Sequence, residues 1–175
     1  MIFDAVIFFI LALMVAFVVG VAVFYLVPLL FGAPFEPSTD EDLKNAEQLL
    51  KPRRKEKLAD LGSGTGKVLI YFAKRGLECH GFETNPFLVL YSRWLIRRHN
   101  LQERAFVHWK NFWKANLGEF DIIFSFQIGY IMPALEKKLQ REVKRQVRVV
   151  SNNWKFRDAQ LKKKLGRVYL YEFFE

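Results

Sequence analysis

Cysteine is nearly missing from this 175-residue chain. Cys79 stands alone, which excludes an internal disulfide framework and a thiolate metal cage. Histidine is almost as scarce, and His80, His99 and His108 lack the i, i+4 or cysteine-paired spacing of a zinc site, so no structural metal is expected. Charge is missing from the N-terminal stretch, where Asp4 is the only charged residue before Glu36 and no Lys or Arg precedes Lys44. The rest of the chain therefore carries all 27 basic residues and all but one of the 18 acidic ones. Its length leaves room for one globular domain and excludes two large ones. Neither an internal repeat nor a low-complexity tract is found.

The uncharged stretch is a single apolar run, residues 5–31, long enough as a helix to exceed a hydrocarbon core of about 30 Å. A cleaved signal peptide would need a basic leading segment, a shorter apolar core and a small-x-small cleavage site. With Asp4 and no basic residue in front, the run is expected to be an uncleaved transmembrane anchor spanning the lipid bilayer through residues 5–31. Tyr25 lies near its exit end, and Pro28, Gly32 and Pro34 mark the change from helix to linker. Lys44, Lys51, Arg53, Arg54, Lys55 and Lys57 follow the run closely, and this asymmetry puts the remainder of a single-pass protein on the cytoplasmic side. Ala12, Ala16 and Gly20 recur every four residues, a weak small-residue face for a neighbouring helix.

Beyond the linker the pattern alternates. Ser38 with Glu41, or Thr39 with Asp42, has capping-box spacing ahead of a helix expected over residues 40–50. Strands are expected at 57–61, 79–83, 105–109, 120–126, 146–151 and 168–174, and helices follow the first glycine turn, at 86–98 and at 132–144. Strands separated by helices of this length predict an α/β fold with a mostly parallel sheet covered on both faces. The parts are thus 1–33 as anchor, 34–56 as linker and first helix, and 57–175 as the sheet domain.

In such a sheet, ligands bind beyond the carboxyl ends of the strands, where strand order reverses. Three features fall at that edge. Asp60 leads into the turn Gly62-Ser63-Gly64-Thr65-Gly66, whose glycines let the backbone bend sharply and approach a ligand. Glu83 ends the second strand, placed to accept hydrogen bonds from both hydroxyls of a ribose, and Asn111-Phe112 after the third offers an amide and an aromatic face to an adenine ring. The turn matches neither G-x-G-x-x-G nor a P-loop, since Lys67 follows Gly66 directly and Val68 is neither Ser nor Thr. A carboxylate at Asp60 would repel phosphate and suits a cationic ligand.

A nucleoside with a positive, phosphate-free tail describes S-adenosyl-L-methionine. Residues 60–66 resemble the first motif of class I S-adenosylmethionine-dependent methyltransferases, and Glu83 resembles their ribose-binding acid. That resemblance implies a Rossmann-like fold of six or seven strands. It also implies that Gly62 and Gly64 run along the methionine portion, that Asp60 acts through the ammonium group or an ordered water, and that Asn111 and Phe112 flank the adenine. More narrowly, the chain resembles the protein-lysine methyltransferases that act on the c-ring protein of ATP synthase and on the adenine nucleotide translocase, with their prokaryotic relatives. The likeness rests on residues 34–39, 61–66, 81–89 running into Tyr91-Ser92-Arg93, on Leu135-Glu136-Lys137-Lys138-Leu139, and on Arg148-Val149-Val150-Ser151. A membrane helix ahead of the catalytic domain is typical of that family.

Two departures stand out. The fourth strand runs into Ser125-Phe126-Gln127-Ile128-Gly129-Tyr130, without the [DNS]-P-P-[YF] of amino-methyltransferases that modify nucleobases or glutamine, which speaks against a nucleic-acid substrate. After Ser151 the chain has room for one strand but hardly for the usual terminal hairpin. No catalytic base is assigned. Gln127, Tyr130, Asn152, Asn153 and Trp154 are the candidates for lining the acceptor pocket. The expected activity is lysine methylation of a small integral membrane protein. Competing expectations are a membrane lipid or quinone-like acceptor, an RNA acceptor suggested by the basic run Lys137, Lys138, Arg141, Lys144, Arg145 and Arg148, and a non-catalytic cofactor-binding adaptor.

Overall fold

The computed structural model describes residues 2–31 and 38–174, and the linker prolines Pro34 and Pro37, with Gly32, lie outside the described residues. The chain forms two compact units, Met1–Phe35 and Glu36–Glu175. The first contains a single helix, α1 (Ile2–Phe31), which runs past Pro28. Its segment Phe3–Ala22 has a mean hydropathy of 3.0 and no buried residue, so by length and composition it can cross a membrane. A Cβ added at Gly20 would meet nothing within 4 Å.

The second unit opens with α2 (Asp40–Leu50), and Thr39 rather than Ser38 caps it. Thr39 Oγ1 accepts from the Asp42 amide at 3.1 Å while Asp42 Oδ2 accepts from the Thr39 amide at 2.8 Å, the reciprocal pairing of a capping box. There follow β1 (Lys57–Leu61), α3 (Lys67–Ala73), β2 (Glu78–Glu83), α4 (Pro86–Arg98), β3 (Ala105–Trp109), β4 (Ile122–Ser125), α5 (Met132–Glu142), β5 (Val147–Asn152), β6 (Leu161–Leu165) and β7 (Val168–Phe173). These strands form one seven-stranded sheet in the order β3-β2-β1-β4-β5-β7-β6. β1 to β5 are parallel, and β7 joins β5 antiparallel.

Alternate side chains of each strand enter opposite layers. Leu58, Cys79, Val107, Phe124 and Val150 pack under Leu43, Leu50, Leu69, Phe72, Val89 and Ile96 of α2, α3 and α4. Ala59, Leu61, Phe82, Ile123 and Val149 pack against Leu135 and Leu139 of α5 and against Leu117 and Phe120. Each fully buried apolar side chain contributes about 1.5–3 kcal/mol relative to exposure, so both layers are needed. Cys79, wholly inside the first, has its thiol pushed well above its ordinary range by burial and by the Asp60 and Glu78 charges.

The expectation that the terminal hairpin is incomplete is overturned. β6 and β7 form an antiparallel pair joined through Gly166, at φ +57°, and Arg167. Arg167 also fastens the hairpin to α2 with a two-pronged pair, Nε to Asp42 Oδ1 at 2.8 Å and Nη2 to Asp42 Oδ2 at 2.7 Å.

Candidate active site

All five parallel strands end on one edge, and β1 lies between β2 and β4, where the sheet reverses direction. The turn after β1 is fixed from β2: the amides of Gly62 and Ser63 donate to the Phe82 carbonyl at 2.9 and 3.1 Å. Gly62, Gly64 and Gly66 have φ of +85°, +52° and +78°, left-handed values that disfavour any residue with a Cβ. A further glycine, unmarked as a site residue in the sequence, makes this packing possible. A Cβ on Gly81 of β2 would lie 2.5–2.6 Å from Ser63 Oγ, Ser63 Cβ and Leu69 Cδ1, so only its absence lets the turn sit against the sheet.

Two carboxyl groups face this turn. Glu83 is held in place by backbone amides: Oε2 accepts from Gly64 at 2.9 Å, and Oε1 accepts from Thr84 and Asn85 at 2.8 Å each. Its remaining lone pairs are directed by a rigid frame. Asp60 is 3% exposed, and its Oδ2 has no hydrogen-bond partner, an uncommon state for a buried carboxyl oxygen. Burial, then the nearby Glu83 charge, pushes the Asp60 carboxyl up to about 8. A cation brought alongside would supply what Asp60 lacks. The Ser63 hydroxyl is buried and unpaired as well.

The other expected residues divide by location. Asn111 caps a short 3-10 turn, Phe112–Lys114, by accepting from the Trp113 amide at 3.0 Å, and the half-buried Phe112 ring packs 4.7 Å from Trp113. Gln127 is buried and points back at the glycine turn: Nε2 donates to the Leu61 carbonyl at 2.5 Å, and a Cβ on Gly62 would come within 3.1 Å of it. Tyr130 is 72% exposed. Trp154 lies over Gly129, whose missing Cβ would be 2.6 Å from the indole, so the loops after β4 and β5 meet there. Asn153, at φ +71°, donates its amide to the Arg167 carbonyl at 2.8 Å. Asn152 is turned inward: its amide lies beside Asp42, outside hydrogen-bond geometry, while Arg167 and the Thr39 cap hold that carboxyl far below its ordinary range against the opposing effect of burial.

Two residues of α5 that order the loops at this edge were not singled out by sequence reasoning as site residues. Lys138, 5% exposed, donates Nζ to the carbonyls of Trp113 and Ala115 at 3.1 and 2.7 Å and to Glu142 Oε1 at 2.6 Å, which fixes the segment carrying Asn111 and Phe112. Glu136, 2% exposed, receives the amides of Arg157, Asp158 and Ala159, and so shapes the loop that follows Trp154. The i, i+4 spacing of Lys138 and Glu142 was the available signal. The run read as an open basic face is dispersed. Lys138 is internal, Arg145 pairs with Asp121 at 2.5 Å, and Arg148 pairs with Glu56 at 2.7 Å. Among the described residues no cluster of His, Cys, Asp and Glu could hold a metal ion.

The model of the ANTKMT methyltransferase domain matches residues 60–163. The chain is 35% identical over 123 residues to the Homo sapiens lysine N-methyltransferase of the ATP synthase c-ring protein, covering 70% of this chain and 52% of that protein. It is 32% identical over 129 residues to the adenine nucleotide translocase lysine N-methyltransferase of Mus musculus, covering 73% and 56%. The chain therefore spans about half the length of these curated relatives. Its fold is shared with an RNA methyltransferase from Salinibacter ruber solved in complex with S-adenosyl-L-homocysteine, at a TM-score of 0.76 and 19% identity, covering 80% of this chain and 95% of that one. With the family model matching more than half of its length, on a Rossmann-like sheet with the expected turn and acid in register, this chain belongs to the ANTKMT methyltransferase domain family.

Proposed function

We propose that this protein is an S-adenosyl-L-methionine-dependent protein-lysine N-methyltransferase, tethered through residues 5–31 and acting on a lysine of a small integral membrane protein. The observation that carries the reading is the pair formed by Asp60 and Glu83 at the strand-order reversal. One is a buried carboxyl with an orphaned oxygen, and the other is an acid braced by three backbone amides. These residues fit the cofactor. Glu83 would accept from the ribose hydroxyls, Asp60 would face the positive methionine end directly or through water, and residues 62–66 would leave room for the chain of atoms between. Asn111 and Phe112 would border the adenine.

Bound there, S-adenosyl-L-methionine supplies a methyl group on a sulfonium, already primed to leave. The protein's own work is then to align, to exclude water and to admit a neutral amine. A lysine must shed a proton before it attacks, and desolvation near the apolar rim of Trp154 and Tyr130 lowers its pKa in the needed direction. Gln127, Asn153 and Asn152 are assigned to the acceptor side, the first as a brace of the turn and the last as support from behind. The tether supports a membrane acceptor, because it raises the effective concentration of bilayer-bound substrates. The absence of Lys and Arg before α1 and their abundance after it support a cytoplasmic catalytic domain.

The test is methyl-labelled cofactor added, with the purified protein, to native membranes from a strain lacking the gene, followed by mass spectrometry of the labelled band. The expected product is a methyllysine in a small membrane protein. Label recovered in the lipid extract, or label that survives protease but not nuclease, would replace the acceptor. Cofactor binding with no product in any fraction would make the chain an adaptor.

A further inference from the structure

Helix α4 is apolar on two opposite faces. Val89, Ser92 and Ile96 turn inward. Diametrically opposite, Phe87, Leu90, Tyr91 and Trp94 follow one another at i, i+3, i+4 and i+7 and are 67%, 65%, 48% and 47% exposed. A solvent-facing helix surface ordinarily carries polar residues at those positions. With roughly 200 Å² for a whole aromatic side chain, the stripe leaves several hundred Å² of contiguous apolar surface, the size at which a patch marks an interaction site. Trp109, 67% exposed, adds another indole at the stripe's beginning, where its Nε1 donates to the Thr84 carbonyl at 3.0 Å.

The chemistry of the stripe selects its occupant. Tyr91 and Trp94 stack at 5.7 Å, and the Arg98 guanidinium lies 5.0 Å from the Trp94 ring centre. Arg97 and Arg98 close the exposed end, Lys110 follows Trp109, and α4 holds no acidic residue. Rings with one polar atom each and a rim of cations match a lipid headgroup layer, where aromatic residues settle at the interface and Arg and Lys meet phosphates. A second copy of the chain would bring a rim of the same sign.

We infer that the outer face of α4 docks on the surface of an anionic phospholipid bilayer. The inference rests on the tether proposed above, which makes this second contact intramolecular. Phe87 follows Glu83 by four residues, so the docked face begins at the rim of the groove. Docking therefore holds the mouth of the site at the depth where a lysine just outside a membrane helix lies.

The experiment uses the full chain in vesicles of phosphatidylcholine with or without phosphatidylglycerol. A polarity-sensitive fluorophore is carried on Leu90→Cys or Trp94→Cys, with Lys163→Cys on β6 as control; native Cys79 is buried and stays unlabelled. Labels at 90 and 94 should shift to the blue and be quenched by lipids spin-labelled near the headgroup, several-fold more with phosphatidylglycerol than without, while the label at 163 stays in water. Exchanging Arg97 and Arg98 for Gln should remove the phosphatidylglycerol dependence. Labels at 90 and 94 that stay water-exposed on both vesicles overturn the docking alone. A blue shift that depends on protein concentration and ignores the lipid quencher overturns it in favour of a second copy. Loss of the whole chain from alkali-washed vesicles overturns the tether and the docking together.

Discussion

Ligand binding beside Asp60 should expel a proton, and the size of that release follows from the geometry. With its carboxyl pushed up to about 8 by burial and by Glu83, Asp60 in the ligand-free protein is about nine-tenths protonated at pH 7. A cation within about 4–6 Å favours the ionised form by about 1–3 pKa units. Binding at pH 7 should then release between about 0.4 and 0.9 proton, and affinity should rise by up to about tenfold per pH unit between pH 6 and 8. Above that range the ligand's own α-amino group, with an ordinary pKa near 8, loses its charge and the gain stops. Titration calorimetry with S-adenosyl-L-homocysteine, repeated in two buffers of different ionisation enthalpy, reads the released proton directly. Methylthioadenosine, which lacks the amino-acid tail, should bind without releasing it, and Asp60→Asn should abolish the difference between the ligands. The same shift acts on stability with a definite sign. The unfolded chain ionises Asp60 near pH 3.8 whereas the folded one keeps its proton to about 8, so ligand-free stability from this group falls as pH rises across that interval, by at most about 6 kcal/mol. Identical heats in the two buffers, or equal proton release with both ligands, would refute the placement of a cation at Asp60.

Glu83→Ala removes two oxygens proposed to meet the ribose, each hydrogen bond to a charged group being worth about 1.5–3 kcal/mol; cofactor affinity should drop by about a hundredfold or more in the same calorimeter while circular dichroism is unchanged. Gly81→Ala forces a methyl group into Ser63 and Leu69 and should cost about 1–3 kcal/mol in urea unfolding of the full chain in detergent; an unaltered midpoint would contradict the close packing of the turn. Arg167→Ala strands the buried Asp42 carboxylate and should cost about 3–5 kcal/mol, whereas Asp42→Asn combined with Arg167→Ala should cost markedly less. Because Asp42 is held below its ordinary range, its contribution to wild-type stability is full near neutral pH and fades as pH falls below about 4, which acid titration of the unfolding midpoint in both proteins would reveal.

Most of the framework could be read in advance because local signals agreed with tertiary need. Thr39 and Asp42, Pro86 at a first helical turn, and the apolar residues flanking the glycine turn delimit α2, α4 and β1 where patterning puts them. β6 escaped because Leu161-Lys162-Lys163-Lys164-Leu165 has no alternation: an edge strand paired only with β7 and largely exposed needs no apolar face. The site was legible where function and backbone geometry coincide, at residues 60–66 and Glu83. It was opaque where a polar residue serves from inside. Lys138 and Glu136 sit in a sequence that looks like an exposed charged helix, and only the carbonyls of Trp113 and Ala115 and the amides of 157–159 account for their burial. Asn111 and Gln127, expected at a ligand, are each already engaged with backbone, which makes them supports of the groove as much as walls of it.

The awkward composition of β6 has a use of its own. A sheet terminating in an open strand invites a stranger's backbone to extend it, a hazard that grows wherever many copies are confined together. Here the outermost border bears three ammonium groups in succession and a register shift between Leu161 and Lys163, so an approaching strand meets repulsion and a broken ladder at once. The opposite border is occupied too, since the Arg93 guanidinium reaches over from α4 to take the Val107 carbonyl at 2.7 Å. Growth of the sheet into fibres or swapped assemblies is thereby discouraged at both margins, without a single buried residue being spent on it.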